Sequence, residues 1–160
     1  MCARRTFFPR SAGLLLVVLT GCTPKSATEV AQHSAVQVTD GFRFRGGTAF
    51  DGEHVVTDFD LTKGADSLKV QTADGKIREA NVLHRDADRG VAVLQVKGGG
   101  LDGAVLGDSG ALKVGDALTA YVFDKDGKGS VRLAKFTGFR ASAKCAYLET
   151  DLVVDELVEG

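Results

Sequence analysis

Tryptophan is absent from this sequence, proline occurs twice, methionine once, and cysteine and histidine three times each. Each shortage excludes something. Three cysteines, one of them in the leader described below, leave too few thiols for a disulfide framework. His33, His54 and His84 share no ligand-like spacing with one another or with a cysteine, so neither a metal site nor a cofactor is expected. Basic and acidic residues nearly balance, at 20 and 21, which leaves no basic face for nucleic acid. There is no internal repeat and no long amphipathic pattern of helical period. The longest apolar stretch, Ser11 to Leu19, is too short to span a bilayer.

What is present begins with an address. Arg4, Arg5 and Arg10 precede that short apolar stretch, the pattern of a signal peptide over residues 1–21. Arg4-Arg5-Thr6-Phe7-Phe8 also resembles a twin-arginine export signal. Leu19-Thr20-Gly21-Cys22 matches the bacterial lipobox, which implies cleavage after Gly21 and lipidation of Cys22. Several acyl chains on one residue hold a protein at a membrane far more firmly than a single chain does. Thr23 follows the cysteine where an aspartate would signal retention, so the resemblance to lipoproteins implies an outer-membrane anchor facing the periplasm. Loss of the leader leaves 17 basic and 21 acidic residues. It also leaves Cys145 without a thiol partner; it reads as a buried small hydrophobe, with a reactive thiol as the alternative.

Residues 22–34 read as the lipidated cysteine and a polar tether. From Ala35 the pattern is all-β. Val36 to Arg45 alternates loosely until Gly46-Gly47 interrupt it, and Thr48 to Phe50 and His54 to Thr57 flank an Asp51-Gly52 turn. Ser67 to Thr72 alternates, Asp74-Gly75 marks a hairpin, and Ile77 to Leu83 follows. Val91 to Val96 is almost wholly apolar, as suits a strand buried on both faces. These segments predict a six-stranded first barrel over 35–97, a connector over 98–116, and part of a second barrel over 117–160. The second part draws its strands from Ala117 to Phe123, Val131 to Phe139 and Ala146 to Thr150.

The order of motifs from Gly47 to Asp151 resembles that of trypsin-fold proteases of the HtrA (Deg) type. Gly47-Thr48-Ala49-Phe50 is similar to the family's opening G-S-G-F strand, and Val55 to Leu61 to its I-L-T-N-x-H-V segment. Val70 to Lys76 is similar to its V-x-L-x-D-G-R hairpin, and Asp86 to Leu94 to D-P-x-x-D-L-A-V-L. Leu106 to Asp116 is similar to the interbarrel L-G-D-S-x-x-L-x-V-G-D, and Tyr147 to Asp151 to Y-I-Q-T-D. The resemblance implies an all-β, trypsin-like double β-barrel, with the first barrel complete and the second partly present.

It also implies three catalytic positions, and there the residues depart from the pattern. The family's histidine falls on Asp60, its aspartate on Gly90 and its serine on Glu159. A carboxylate, with a pKa of about 3.9, is too weak a base at neutral pH to activate a hydroxyl as imidazole does. Glycine has no group with which to orient a base. Asp155 to Val158 replaces the N-P-G-N lead-in, and with it the oxyanion-hole glycine. Gly107-Asp108-Ser109-Gly110 spells part of a nucleophile motif, but Ser109 lies in the connector, and a His54, Asp86 and Ser109 triad would have to come from one barrel and its exit. The cluster of His84, Asp86 and Asp88 reads as a solvated strand end. The expected function is therefore that of a pseudoprotease: a lipid-anchored, non-catalytic binding or scaffolding module with a possible protein or peptide partner added at an open strand edge. The alternative is a fragment or remnant of a periplasmic HtrA-like serine endopeptidase.

Overall fold

The computed structural model describes residues 26–124, 127–141 and 144–153. Cys22 and Glu159 lie outside them. The first structural element is one that the tether reading missed. Ser26 accepts a hydrogen bond from the Glu29 N–H, and the Glu29 carboxylate accepts one from the Ser26 N–H at 2.7 Å. This capping box starts a helix, α1, at Ala27–Ser34. Where residues 27–34 were expected to be tether, they pack instead against the second sheet. The serine–glutamate spacing was the available signal.

Six strands then close a barrel. They are β1 (Ala35–Thr39), β2 (Phe44–Ala49), β3 (His54–Asp58), β4 (Ser67–Thr72), β5 (Ile77–Asp86) and β6 (Val91–Val96), in the order β1-β2-β3-β6-β5-β4, with β4 returning to β1. All the pairings are antiparallel. Alternation sends Val36, Val38, Val55, Val70 and Leu94 fully inside. Leu61, from a single 3-10 turn after β3, and Leu101, from the connector, join the same core.

Three details differ from the sequence expectation. The stretch expected as one strand up to Arg45 folds as a hairpin. Asp40 Oδ1 accepts from the N–H groups of Phe42 and Arg43, at 2.9 and 2.8 Å, and Gly41 takes a φ of 100° to make the turn. The Gly46-Gly47 pair, expected to interrupt a strand, lies inside β2. A Cβ on Gly47 would sit 2.9 Å from Val55 Cγ1 and 3.0 Å from Val56 O, so the glycine answers to close packing. In β6, Ala92, Leu94 and Val96 face the core while Gln95 is exposed, so this strand is buried mainly on one face.

Beyond the connector, β7 (Ala117–Phe123), β8 (Gly129–Ala141) and β9 (Ala146–Thr150) form a three-stranded antiparallel sheet in chain order. Only Ala134 and Phe136 of this sheet are buried, and all of β9 is exposed. The connector is seated on the barrel by the Leu101 N–H to Gly52 O and the Ala104 N–H to Ala49 O. At Gly103 it passes so close to Asp51 that a Cβ would lie 2.5 Å from the Asp51 Cα.

Candidate functional site

Asp60 opens the 3-10 turn Asp60–Thr62 at the end of β3, and Gly90 ends the turn between β5 and β6. The register Asp58↔Val91 brings these segments together, and the Phe59 N–H donates to Gly90 O at 3.0 Å. The fold thus sets side by side the two positions at which the family resemblance places a base and its orienter. Neither residue suits the task. Asp60 Oδ1 lies 2.6 Å from Lys63 Nζ. That hydrogen-bonded ammonium, with Arg43 and Arg45 beyond it, holds the Asp60 carboxyl below its ordinary value. An exposed carboxylate that is ionised and paired is a poor proton acceptor. Gly90 adopts a φ of 71° and carries no side chain.

The neighbouring polar groups are engaged in structural roles. Arg85 donates to Ala65 O at 2.6 Å and to Thr62 O at 3.1 Å, tying the segment after Asp60 to β5. Asp86 accepts from the Arg89 N–H at 3.0 Å and pairs with Arg89 Nη1 at 2.6 Å, and this partner lowers its pKa. Lys144, in the turn before β9, pairs with Asp88 and so links the second sheet to the barrel. Beside it, Cys145 is half-buried where full burial was expected. Contact with its thiol pushes the Tyr147 phenol above its ordinary pKa.

The alternative triad is not assembled. His54 Nδ1 lies 2.9 Å from Asp51 Oδ2, Asp86 is taken by Arg89, and Ser109 begins an exposed 3-10 turn capped by Asp108. The cluster of His84, Asp86 and Asp88 is divided in the same way, its two acids being held by Arg89 and Lys144. His33, expected in a tether, lies in α1 with Nδ1 3.1 Å from Asp102 Oδ2. Among the described residues no group of three or more His, Cys, Asp or Glu could hold a metal ion.

Lys63, Arg89 and Lys144 are the residues that a reading for catalytic types passes over. The i,i+3 spacing of Asp60 with Lys63 and of Asp86 with Arg89 was legible as local ion pairing. The pairing of Lys144 with Asp88 spans 56 positions and has no local signature.

Residues 39–154 match the model of the trypsin-like peptidase domain, and the chain belongs to that family. Its fold is that of the HtrA-type members. A protein of Ectopseudomonas mendocina (strain ymp), described as a probable periplasmic serine endoprotease DegP-like, is 29% identical over 129 residues, covering 78% of this chain and 26% of the relative. A protein of the same description from Pseudomonas savastanoi pv. phaseolicola is 27% identical over 106 residues, covering 64% and 22%. The chain thus spans about a quarter of the length of these relatives. Among solved structures, Deg5 superposes with a TM-score of 0.65 at 20% identity, covering 81% of this chain and 72% of that one. The HtrA-type protease AlgW with tripeptide gives 0.66 at 20% identity, covering 73% and 40%. At these identities the likeness is one of fold.

Proposed function

We propose that this protein is a non-catalytic member of the trypsin-like family, a binding or scaffolding lipoprotein held at the bacterial cell envelope by acyl chains on Cys22. The observation that carries this reading is the juxtaposition of the segments that bear Asp60 and Gly90. The Phe59 N–H to Gly90 O hydrogen bond holds the two segments next to each other. What the segments present is a carboxylate neutralised by Lys63 and a residue with no side chain. The lipobox at Leu19 to Cys22 supports the anchor, with Thr23 favouring the outer membrane and the periplasmic side. Relatives described as periplasmic support the envelope location. Among the described residues β7 and β9 each pair with β8 alone, which supports a protein or peptide partner bound by strand addition.

A fluorophosphonate probe, which captures activated serines, should leave the purified protein unlabelled. Labelling at Ser109 would overturn the non-catalytic reading. Growth with labelled palmitate should tag the wild type but not Cys22→Ala; equal incorporation in both would remove the anchor. A second reading, a portion of a periplasmic HtrA-like endopeptidase, is favoured by the quarter-length coverage of the relatives. A reading frame that runs on past Gly160 into a glycine-flanked serine would decide for it.

A further inference from the structure

The arm between a lipidated Cys22 and the folded chain is far shorter than residues 22–34. The capping box fixes where the fold begins. Ser26 Oγ accepts the Glu29 N–H at 3.2 Å, and the Val30 N–H donates to Ser26 O at 2.9 Å. Only Thr23, Pro24 and Lys25 separate Cys22 from Ser26. Four residues of chain span at most about 14 Å whatever their conformation, whereas thirteen, from Cys22 to Ala35, span up to about 45 Å when extended.

The remainder of that arm is taken up by α1, which is tied along its length. Val30 and Ala31 are half-buried and line the same groove as Thr119 and Tyr121 of β7. The helix packs on β8 as well. At its far end Ser34 is buried, and His33 Nδ1 lies 3.1 Å from Asp102 Oδ2 of the connector. The Ala35 N–H donates to Ala31 O, and β1 starts at that same alanine with no residue between. A swing of the helix would therefore have to move Ala35 and Val36, both buried. A helix of eight residues is marginal in water by itself; the cap and these contacts hold it.

We propose that α1 is the spacer of the anchor: docked, it keeps the second sheet, on which it packs, close to the bilayer surface. The inference rests on the proposed lipidation of Cys22 and adds to it the stand-off and the region that faces the lipid. The partner is a lipid surface, because a residue that carries acyl chains sits at the headgroup boundary. The start of α1 is then held within about 14 Å of that boundary. A flexible arm over residues 22–34 would leave the module free to stand about three times as far away.

The test uses the full lipoprotein in vesicles of phosphatidylethanolamine and phosphatidylglycerol that carry an acceptor dye on a lipid headgroup. Cys145→Ser with Leu133→Cys places one reactive thiol on an exposed position of β8 for the donor dye. Energy transfer to the bilayer should be strong. Val30→Pro removes the N–H given to Ser26 O and breaks α1, and it should lower the transfer at least about twofold because the reach of the arm triples. Nine glycine and serine residues inserted after Lys25 leave α1 whole and lengthen the arm by the same amount, so the loss should be similar. Transfer as strong in either variant as with the natural arm would overturn the spacer role while leaving the anchor in place. Flotation tests the anchor separately: a protein that does not float with the vesicles has no lipid on Cys22, and the spacer falls with it.

Discussion

In the first barrel Val36, Val38, Val55, Val70 and Leu94 are completely buried, whereas in the second sheet Leu133 is 79% exposed and every residue of β9 faces solvent. The strands of both regions are of similar local character, with alternating apolar residues and short polar turns. The difference is closure. Six strands curl so that one side of each faces a common interior, and the last strand covers the first. Among the described residues the three strands of the second sheet face no opposing sheet, and most of their side chains remain at the surface. The region after Val114 keeps its sheet through the β7–β8 and β8–β9 ladders and through contacts with α1. Stability in this molecule therefore follows architecture more than strand propensity.

The largest expected contrast is in amide exchange. Barrel amides of β1, β3 and β6 should exchange only through global unfolding, while those of β9 exchange through local opening, orders of magnitude faster. Equal protection in the two regions would break the comparison. Next, Leu94→Ala should destabilise the protein by about 2–5 kcal/mol in a denaturant titration, because it opens a cavity in a fully buried site. Leu133→Ala should cost no more than about 0.5 kcal/mol, as expected of an exposed position. A large effect at Leu133 would mean that the sheet face is covered in solution.

Smaller effects sharpen the same contrast. Ser26→Ala removes the helix cap and should cost about 1 kcal/mol, with faster exchange confined to α1 and the β7 residues that it packs on. The smallest effect concerns acid. Backbone N–H groups of Arg43 and Phe42, with the Arg43 guanidinium, hold the Asp40 carboxyl down at about 2, against an ordinary 3.8. A depressed carboxylate contributes stability that is fully present above 3.8 and is lost as the pH falls towards about 2. Asp40→Asn should therefore lie below the wild type at neutral pH, and the gap should close through that acid window. An unchanged gap at low pH would show that the turn does not depend on the ionised side chain.

Much of the barrel was legible because its signals are local. The alternation of Ser67 to Thr72, the Asp74-Gly75 turn and the apolar run of Val91 to Val96 each announce a strand or turn within a few residues. Sequence and structure part where a local signal has two meanings. Gly46-Gly47 resembles a break, and only the approach of Val55 and Val56 shows that glycine is required inside β2. Asp40-Gly41 lies within a loosely alternating stretch, yet it carries the hairpin. Residues 27–34 looked like tether because their polar composition outweighed one serine–glutamate pair.

The candidate site divides in the same way. That Asp60 is a carboxylate and Gly90 has no side chain is a property of the sequence alone, and no folding could supply an imidazole at either place. That these two positions lie together and that Lys144 reaches across from the second sheet depend on the register of β3 with β6 and on where the start of β9 is placed, whereas Lys63 and Arg89 pair with acids three residues before them. The sequence by itself determined the chemical identities and the strand-by-strand pattern, since both depend on residues and their near neighbours. Tertiary structure alone decided the closure of one barrel, the exposure of the second sheet and the seating of α1 against that sheet. Each of those arises where segments far apart in the chain meet, and no short window of residues contains that information.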